Sequence, residues 1–133
     1  MAYDHAGSGI TITLEAAADL SSNQYNFVKL DANGKAVICV ADAAGTIPIG
    51  VLQNAPTSGQ AATVLVVGIS KIEAGVAMDE GVTISCSDAS SAADDGQAVL
   101  ADASDVVVGQ TITAGAADTY ITAAINCASP TLY

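Results

Sequence analysis

The chain has 133 residues and a net charge of −11, because fourteen Asp and Glu residues accompany only three Lys and no Arg. A chain of this length folds as one domain with one core, and its scarcity of cations excludes a phosphate-binding surface. We therefore expect neither nucleic acid nor an anionic membrane as a partner. Val and Ile together number 24 against seven Leu, and branched side chains favour strands. The composition predicts a small all-β domain.

The predicted organisation is an arm, a β domain and a tail. Residues 1–9 have no hydrophobic period and hold two glycines, so we expect a flexible N-terminal arm. Residues 10–127 form the β domain, and residues 128–133, interrupted by Pro130, form the tail. The arm lacks the basic and apolar regions of a secretory signal, and no run of about 18 apolar residues could span a bilayer. We therefore expect synthesis in a host cytoplasm.

The first strands are indicated by alternation and by one turn. Residues 10–14, ITITL, alternate between apolar and polar side chains. The alanine-rich residues 15–22 permit one helical turn. Asn33-Gly34 lies between two apolar runs and predicts a β-hairpin, because this pair favours positive φ at both turn positions.

The strand pattern is strongest between residues 47 and 72. The run ATVLVV, residues 62–67, has apolar side chains on both faces, which predicts a strand covered on both sides. Further strands are predicted in VTISC, QAVLA, DVVVGQTIT and TYITAAIN. About eight to ten short strands predict a single compact β-barrel or β-sandwich. The residues assigned to a core or subunit-interface strand are Val64, Val66, Val67 and Ile69.

The second half of the sequence echoes the first. NGKAV at 33–37 and PIGVL at 48–52 are followed, 62 and 59 residues later, by DGQAV and VVGQT. Two interpretations stay open. Either the chain contains two related β units, or hairpins with small-residue turns look alike by chance.

Residues with reactive side chains are few and scattered. His5 is the only histidine and lies in the arm, so a Ser–His–Asp constellation is not expected. Cys39, Cys86 and Cys127 are odd in number, form no CxxC pair and lie in apolar runs. We expect buried free thiols rather than a disulfide framework or a zinc site.

The carboxylates lie among Ala, Ser and Gly, which is typical of solvated loops rather than of a catalytic pair. Residues 88–96, DASSAADDG, do not follow the oxygen spacing of a calcium loop, and weak calcium binding stays open. The sequence therefore predicts no catalytic residue, no cofactor, no metal site and no enzymatic activity.

Three stretches resemble a family of small tailed-phage head proteins known as capsid decoration or cement proteins. They are ADLSSNQYNFVKLDANGKAV (18–37), PIGVLQNAPTSGQAATVLVVGISKIEAG (48–75), and DGQAV (95–99) with VVGQTITA (107–114). The resemblance covers residues 18–125 and is weak in the first 15 and last eight residues. It implies a compact β fold without catalytic residues.

The resemblance also implies a mechanical function. Cement proteins bind the outer surface of the expanded head and clamp neighbouring subunits of the major capsid protein against the pressure of packaged DNA. A location in the virion and a homo-oligomer are implied as well, with a trimer favoured and a dimer possible. We expect Tyr3, Asp4 and His5 to contact the capsid, with the arm ordering on binding. A merely disordered terminus is the alternative.

Two other classes of function stay open. One is another virion protein or a bacterial surface or adhesive β module. The other is a small-ligand-binding barrel or an enzyme, which would need convergent polar groups in a pocket. The scarcity of aromatic residues disfavours the second class.

Overall fold

The computed structural model describes residues 9–41, 46–88 and 93–133. Within these ranges the fold is all-β and contains no helix, which confirms the predicted fold class. Its strands are β1 (Ile10–Glu15), β2 (Phe27–Leu30), β3 (Ala36–Ile38), β4 (Gly50–Leu52), β5 (Ala61–Glu73), β6 (Thr83–Cys86), β7 (Ala98–Leu100), β8 (Val106–Val107), β9 (Gly109–Thr111), β10 (Tyr120–Asn126) and β11 (Thr131–Leu132).

The long strand β5 organises an antiparallel main sheet. The strand order is β3-β2-β4-β5-β10-β9-β6-β7, and β1 also pairs with β5. The first half of β5, up to Val67, pairs with β1, and the second half, from Val67 onward, pairs with β10. β8 and β11 form a separate two-stranded sheet, so Thr131 and Leu132 of the predicted tail are paired with the domain.

β5 is covered on both faces, as its apolar run predicts. Neighbouring side chains on a strand point to opposite faces, and here both Val64 and Leu65 are buried. Leu65 belongs to a larger core cluster with Phe27, whereas Val64 belongs to a second cluster with Leu52. Full burial of such a side chain contributes about 1.5–3 kcal/mol, so both clusters hold this strand in place.

The sheet curls so that its two ends meet. The Phe27 N–H, on β2, donates to the Gly96 carbonyl just before β7, with an N···O distance of 2.7 Å. The Ala41 N–H, beyond β3, donates to the Ser87 carbonyl beyond β6, at 2.9 Å. These bonds join segments from opposite ends of the sheet order, so the sheet is strongly curled.

The echo in the sequence reflects a tandem repeat in the structure. Repeat 1 (residues 10–67) pairs its strands in the order β3-β2-β4-β5-β1, with β5 represented by its first half. Repeat 2 (residues 68–126) pairs them in the order β7-β6-β9-β10-β5, with the second half of β5. Corresponding strands lie 56 residues apart for β2 and β6, 62 for β3 and β7, and 59 for β4 and β9. The last two offsets are those of the sequence echo, so the interpretation as two related units is confirmed.

The two repeats also share backbone detail. Four backbone hydrogen bonds of repeat 1 have counterparts in repeat 2. In repeat 1 the bonds run from Ala16 N to Gln60 O, Ala17 N to Ala36 O, Leu20 N to Pro56 O and Ile49 N to Val28 O. In repeat 2 the corresponding bonds run, in the same order, from Ala74 N to Thr119 O, Gly75 N to Ala98 O, Met78 N to Gly115 O and Val108 N to Ile84 O. Positive φ angles recur as the pairs Gly34 and Gly96, Gly59 and Asp118, and Tyr25 and Gly81. Repeat 1 therefore continues into repeat 2 through β5, which both repeats share.

Two local expectations differ from the structure. The Asn33-Gly34 hairpin exists, but only Gly34 has positive φ, because the Asp31 carboxylate closes a five-residue loop. That carboxylate accepts the N–H groups of Asn33 at 2.8 Å and Lys35 at 2.9 Å, as Asp does in Asx turns. Residues 15–22 form no helical turn, because the Ala16 N–H donates to the carbonyl of Gln60, just before β5, and the Ala17 N–H donates to the carbonyl of Ala36 in β3.

Candidate contact surfaces

The predicted capsid-contact residues Tyr3, Asp4 and His5 lie outside the described residues. Their role therefore stays a prediction. The predicted boundary between the N-terminal arm and the β domain also stays a prediction, because residues 1–8 lie outside the described residues.

The predicted core or interface residues all lie on β5, but they differ in burial. Val64 is fully buried in the second core cluster. Val66 is half-buried and packs against the first cluster, while Val67 and Ile69 are half-buried. Val64 therefore packs inside the chain, and the other three keep part of their surface accessible.

The three cysteines are buried and form no disulfide, as predicted. The Cys86 Sγ donates to the Cys39 carbonyl at 3.3 Å, and a side-chain hydrogen bond with Cys39 together with burial raises the pKa of Cys86. Burial raises the pKa of the Cys127 thiol to about 12. The thiolate is the reactive form, so Cys86 and Cys127 are protonated and inert at neutral pH.

Within residues 9–41, 46–88 and 93–133, no group of three His, Cys, Asp or Glu side chains could hold a metal ion. No helix in the same ranges is long and apolar enough to cross a membrane.

An aromatic patch lies at the joint between the repeats. The Tyr25 and Tyr120 rings meet edge to face, with centroids 5.5 Å apart, and the Lys71 ammonium lies 5.6 Å from the Tyr25 ring centroid. The Glu73 N–H on β5 donates to the Tyr25 carbonyl at 3.0 Å. Tyr120 is 51% exposed. Tyr is frequent among the residues that dominate protein interfaces, so this patch can serve as a contact.

A further contact between the repeats is a turn packed into a pocket. The turn around Gly96, between β6 and β7, packs on a receiving pocket of repeat 1 formed by Asn26, Phe27 and Ile38. A Cβ atom at Gly96 would overlap the Ile38 Cδ1 atom and lie 2.9 Å from the Asn26 Cβ. Gly96 is therefore required by close approach as well as by its φ of +80°.

Each half of this contact has an unoccupied counterpart. The turn of repeat 1 that corresponds to the Gly96 turn is centred on Gly34, and a Cβ there would have no heavy atom of the described residues within 4 Å. The pocket of repeat 2 that corresponds to Asn26 and Ile38 contains Val82 and Leu100, which line an open cleft with Met78. We call the Gly34 turn, together with Leu30, the turn face, and this cleft the receiving cleft.

Both unoccupied surfaces expose a large apolar side chain. Leu30, on the turn face, is 45% exposed, and Leu100, in the receiving cleft, is 46% exposed. Their counterparts Cys86 and Ile38 take part in the internal contact, where Cys86 is buried and Ile38 is half-buried. Sequence analysis missed both surfaces, although the NGKAV and DGQAV echo was the signal that could have located them.

Charge is distributed unevenly between the repeats. Residues 10–67 contain four carboxylates and two lysines, a net charge of −2. Residues 68–126 contain nine carboxylates and one lysine, a net charge of −8. Repeat 1 is therefore the less repulsive of the two toward another acidic surface.

Comparisons with known proteins identify the fold. No protein-family model matches the sequence, and no curated protein matches it. Among solved structures, the chain is similar to the crystal structure of the N base of the head fibre gp8.5 of bacteriophage phi29. The TM-score is 0.63 at 19% sequence identity, and the match covers 88% of this chain and 93% of that chain. The two proteins share a fold.

Proposed function

We propose that the protein is a non-enzymatic structural component of a phage virion. In this proposal it binds the outer surface of the expanded head and clamps neighbouring subunits of the major capsid protein. The observation that carries the proposal is the fold shared with the base of a phage head fibre over 88% of the chain. The resemblance of residues 18–125 to cement proteins supports the same conclusion independently.

The charge of the protein favours the outer face of a shell. A surface with a net charge of −11 is repelled by packaged DNA, and it offers only three lysines to phosphate groups. The concentration of carboxylates in repeat 2 suggests an orientation, in which repeat 2 faces solvent and repeat 1 lies closer to the capsid.

The fold suits a mechanical role. β5 runs through both repeats, and the larger core cluster contains side chains of both, among them Leu65 and Ile72, so the repeats cannot separate without exposing buried side chains. A homo-oligomer, with a trimer favoured, would gain avidity, because the second and third contacts form at high effective concentration.

The test is cosedimentation of the purified protein with expanded, undecorated heads of the phage that encodes it. Saturable binding in a fixed ratio to the capsid subunit, with greater resistance of DNA-filled heads to heat, is the expected result. Deletion of residues 1–8 tests the predicted contacts of Tyr3, Asp4 and His5, and Leu132→Asp, at an exposed position on β11, serves as a control. Absence of binding between 0.05 and about 1 M salt, where screening is nearly complete, would exclude the proposal.

A second candidate function is the base of an appendage attached to the head, which the similarity to the N base of a head fibre favours. The same experiment separates the two functions by copy number. A clamp requires occupancy at most or all equivalent sites of the shell, whereas an appendage base needs only a few copies per head.

A further inference from the structure

We propose that a second copy of this chain docks its turn face into the receiving cleft of the first. The contact would repeat, between molecules, the one that already joins repeat 2 to repeat 1 within the chain. It specifies how the homo-oligomer proposed above would form. Its test uses no capsid, so its failure leaves the capsid experiment unaffected.

The internal contact supplies the template. Inside the chain, the Gly96 turn packs under Ile38 and beside Asn26, and the Phe27 N–H donates to the Gly96 carbonyl at 2.7 Å. The bases of the two turns match, because the Asp31 N–H donates to the Lys35 carbonyl at 2.8 Å as the Ser87 N–H donates to the Gln97 carbonyl at 2.9 Å. Gly34 and Gly96 both have positive φ, +75° and +80°. The loop of repeat 1 is shorter, with five residues (31–35) against eleven (87–97), and in the proposed contact it presents its glycine tip to the cleft.

The receiving cleft retains the apolar part of that pocket. Leu100 takes the position of Ile38, and Val82 takes the position of Asn26. Leu100 and Val82 both line the cleft. Thr83 takes the position of Phe27, whose backbone N–H and carbonyl face the Gly96 turn in the internal contact.

The exposed side chains are complementary in size. In the internal contact the Cys86 Sγ donates to the Cys39 carbonyl. At the intermolecular contact Leu30 would take the place of Cys86, and Ala101 would take the place of Cys39. The larger leucine thus meets the smaller alanine, and docking would cover both Leu30 and Leu100, which are nearly half exposed in the single chain.

The symmetry follows from the geometry. The turn face and the receiving cleft are different surfaces, so the contact is heterologous, and such contacts close into rings when the rotation permits. A ring of three chains would carry six repeats. Because every copy is acidic, we expect self-association to strengthen as salt is raised.

The experiment measures self-association by sedimentation velocity and light scattering at 0.15 M and 1 M NaCl. Leu30→Asp and Leu100→Asp each remove one side of the contact, and we expect each to weaken self-association about tenfold or more, as loss of an apolar anchor does at interfaces. Leu30→Lys and Leu100→Lys separate the loss of the apolar contact from added negative charge. Leu132→Asp, at a residue 69% exposed on β11, is the control and should change self-association less than twofold. Thermal unfolding verifies that each variant is folded, and Leu100→Ser replaces any cleft variant that is not.

Mixing the variants gives the sharpest result. Leu30→Asp keeps an intact cleft and Leu100→Asp keeps an intact turn face, so at a concentration where each variant alone is monomeric the mixture should form a one-to-one heterodimer. A wild-type chain that stays monomeric at all concentrations in both salts overturns the inference. So does an oligomer that is insensitive to either substitution, or a mixture that fails to pair.

Discussion

Tyr25 and Gly81 occupy the same position in the two repeats, and both have a left-handed backbone. Their φ angles are +66° and +75°, and their N–H groups donate to the corresponding carbonyls of Leu52, at 2.7 Å, and Thr111, at 2.9 Å. Glycine adopts this conformation freely, whereas a side chain there costs about 1–2 kcal/mol. Repeat 1 thus retains tyrosine at a position suited to glycine, and the ring it gains packs on Tyr120.

At position 25, a glycine variant should be more stable than an alanine variant, which is the reverse of the usual order of stability. Tyr25→Ala keeps the backbone strain and loses the aromatic contact, which contributes about 0.5–1.5 kcal/mol. Tyr25→Gly loses the same contact but removes the strain, so it should be more stable than Tyr25→Ala by about 1 kcal/mol. Urea unfolding of the two variants measures the difference, and an alanine variant as stable as the glycine variant would contradict the role given to the backbone.

Gly34 and Gly96 form a matched pair for the packing between repeats. Both have positive φ, so alanine at either position should cost about 1 kcal/mol through the backbone. Only Gly96→Ala also pushes a Cβ atom into Ile38, which should add about 1–3 kcal/mol of overpacking. The comparison is made by unfolding at a protein concentration where the chain is monomeric. Equal losses at the two sites would mean that the Gly96 turn is not closely packed against repeat 1.

The two faces of β5 predict how truncations on that strand behave. Leu65→Ala should lower the free energy of unfolding by about 2–5 kcal/mol, and Val64→Ala, which removes two buried carbon atoms, by about 2 kcal/mol. Val67→Ala should lower it less, because Val67 is only half-buried. If one of the two buried positions tolerated alanine without loss, the strand would be covered on one face only.

The Cys127 thiol should make stability depend on alkaline pH. Its pKa is raised by burial from 9.0 to about 12. A raised pKa means that the unfolded chain releases the proton first, so the stabilisation is complete below pH 9 and is lost as the pH rises from 9 toward 12. The expected contribution to the slope is about 1.4 kcal/mol per pH unit.

Cys127→Ala provides the matched control for this slope. The variant removes the thiol but keeps the titrating lysines, among them Lys35, whose pKa is raised by its hydrogen bond with Glu15. The difference between wild type and variant between pH 9 and 11 therefore isolates the thiol. Parallel curves would show that Cys127 is accessible to hydroxide in the folded chain.

The all-β class, the two-sided strand and the buried cysteines could be predicted because each depends on side chains near one another in sequence. Val64 and Leu65 are adjacent, so two-sided burial is visible as an unbroken apolar run. The turn at Gly34 was predicted as a hairpin but not in its geometry, because the Asp31 carboxylate competes for the N–H groups of the loop. The helical turn permitted by residues 15–22 is absent because Gln60 and Ala36, distant in sequence, accept the N–H groups of Ala16 and Ala17.

The sequence by itself determined the strand content and the net charge, and it showed an echo with offsets of 62 and 59 residues without deciding whether the two segments are related. Only the tertiary structure decided through which surfaces the two segments contact each other. Gly34 and Gly96 lie in similar sequences with nearly the same φ. The Gly96 turn is nevertheless packed under Ile38, whereas the Gly34 turn contacts no other part of the described chain at that point. The physical reason is that repeat 2 follows repeat 1 along a single continuous strand, which leaves one turn and one pocket of the pair without a partner.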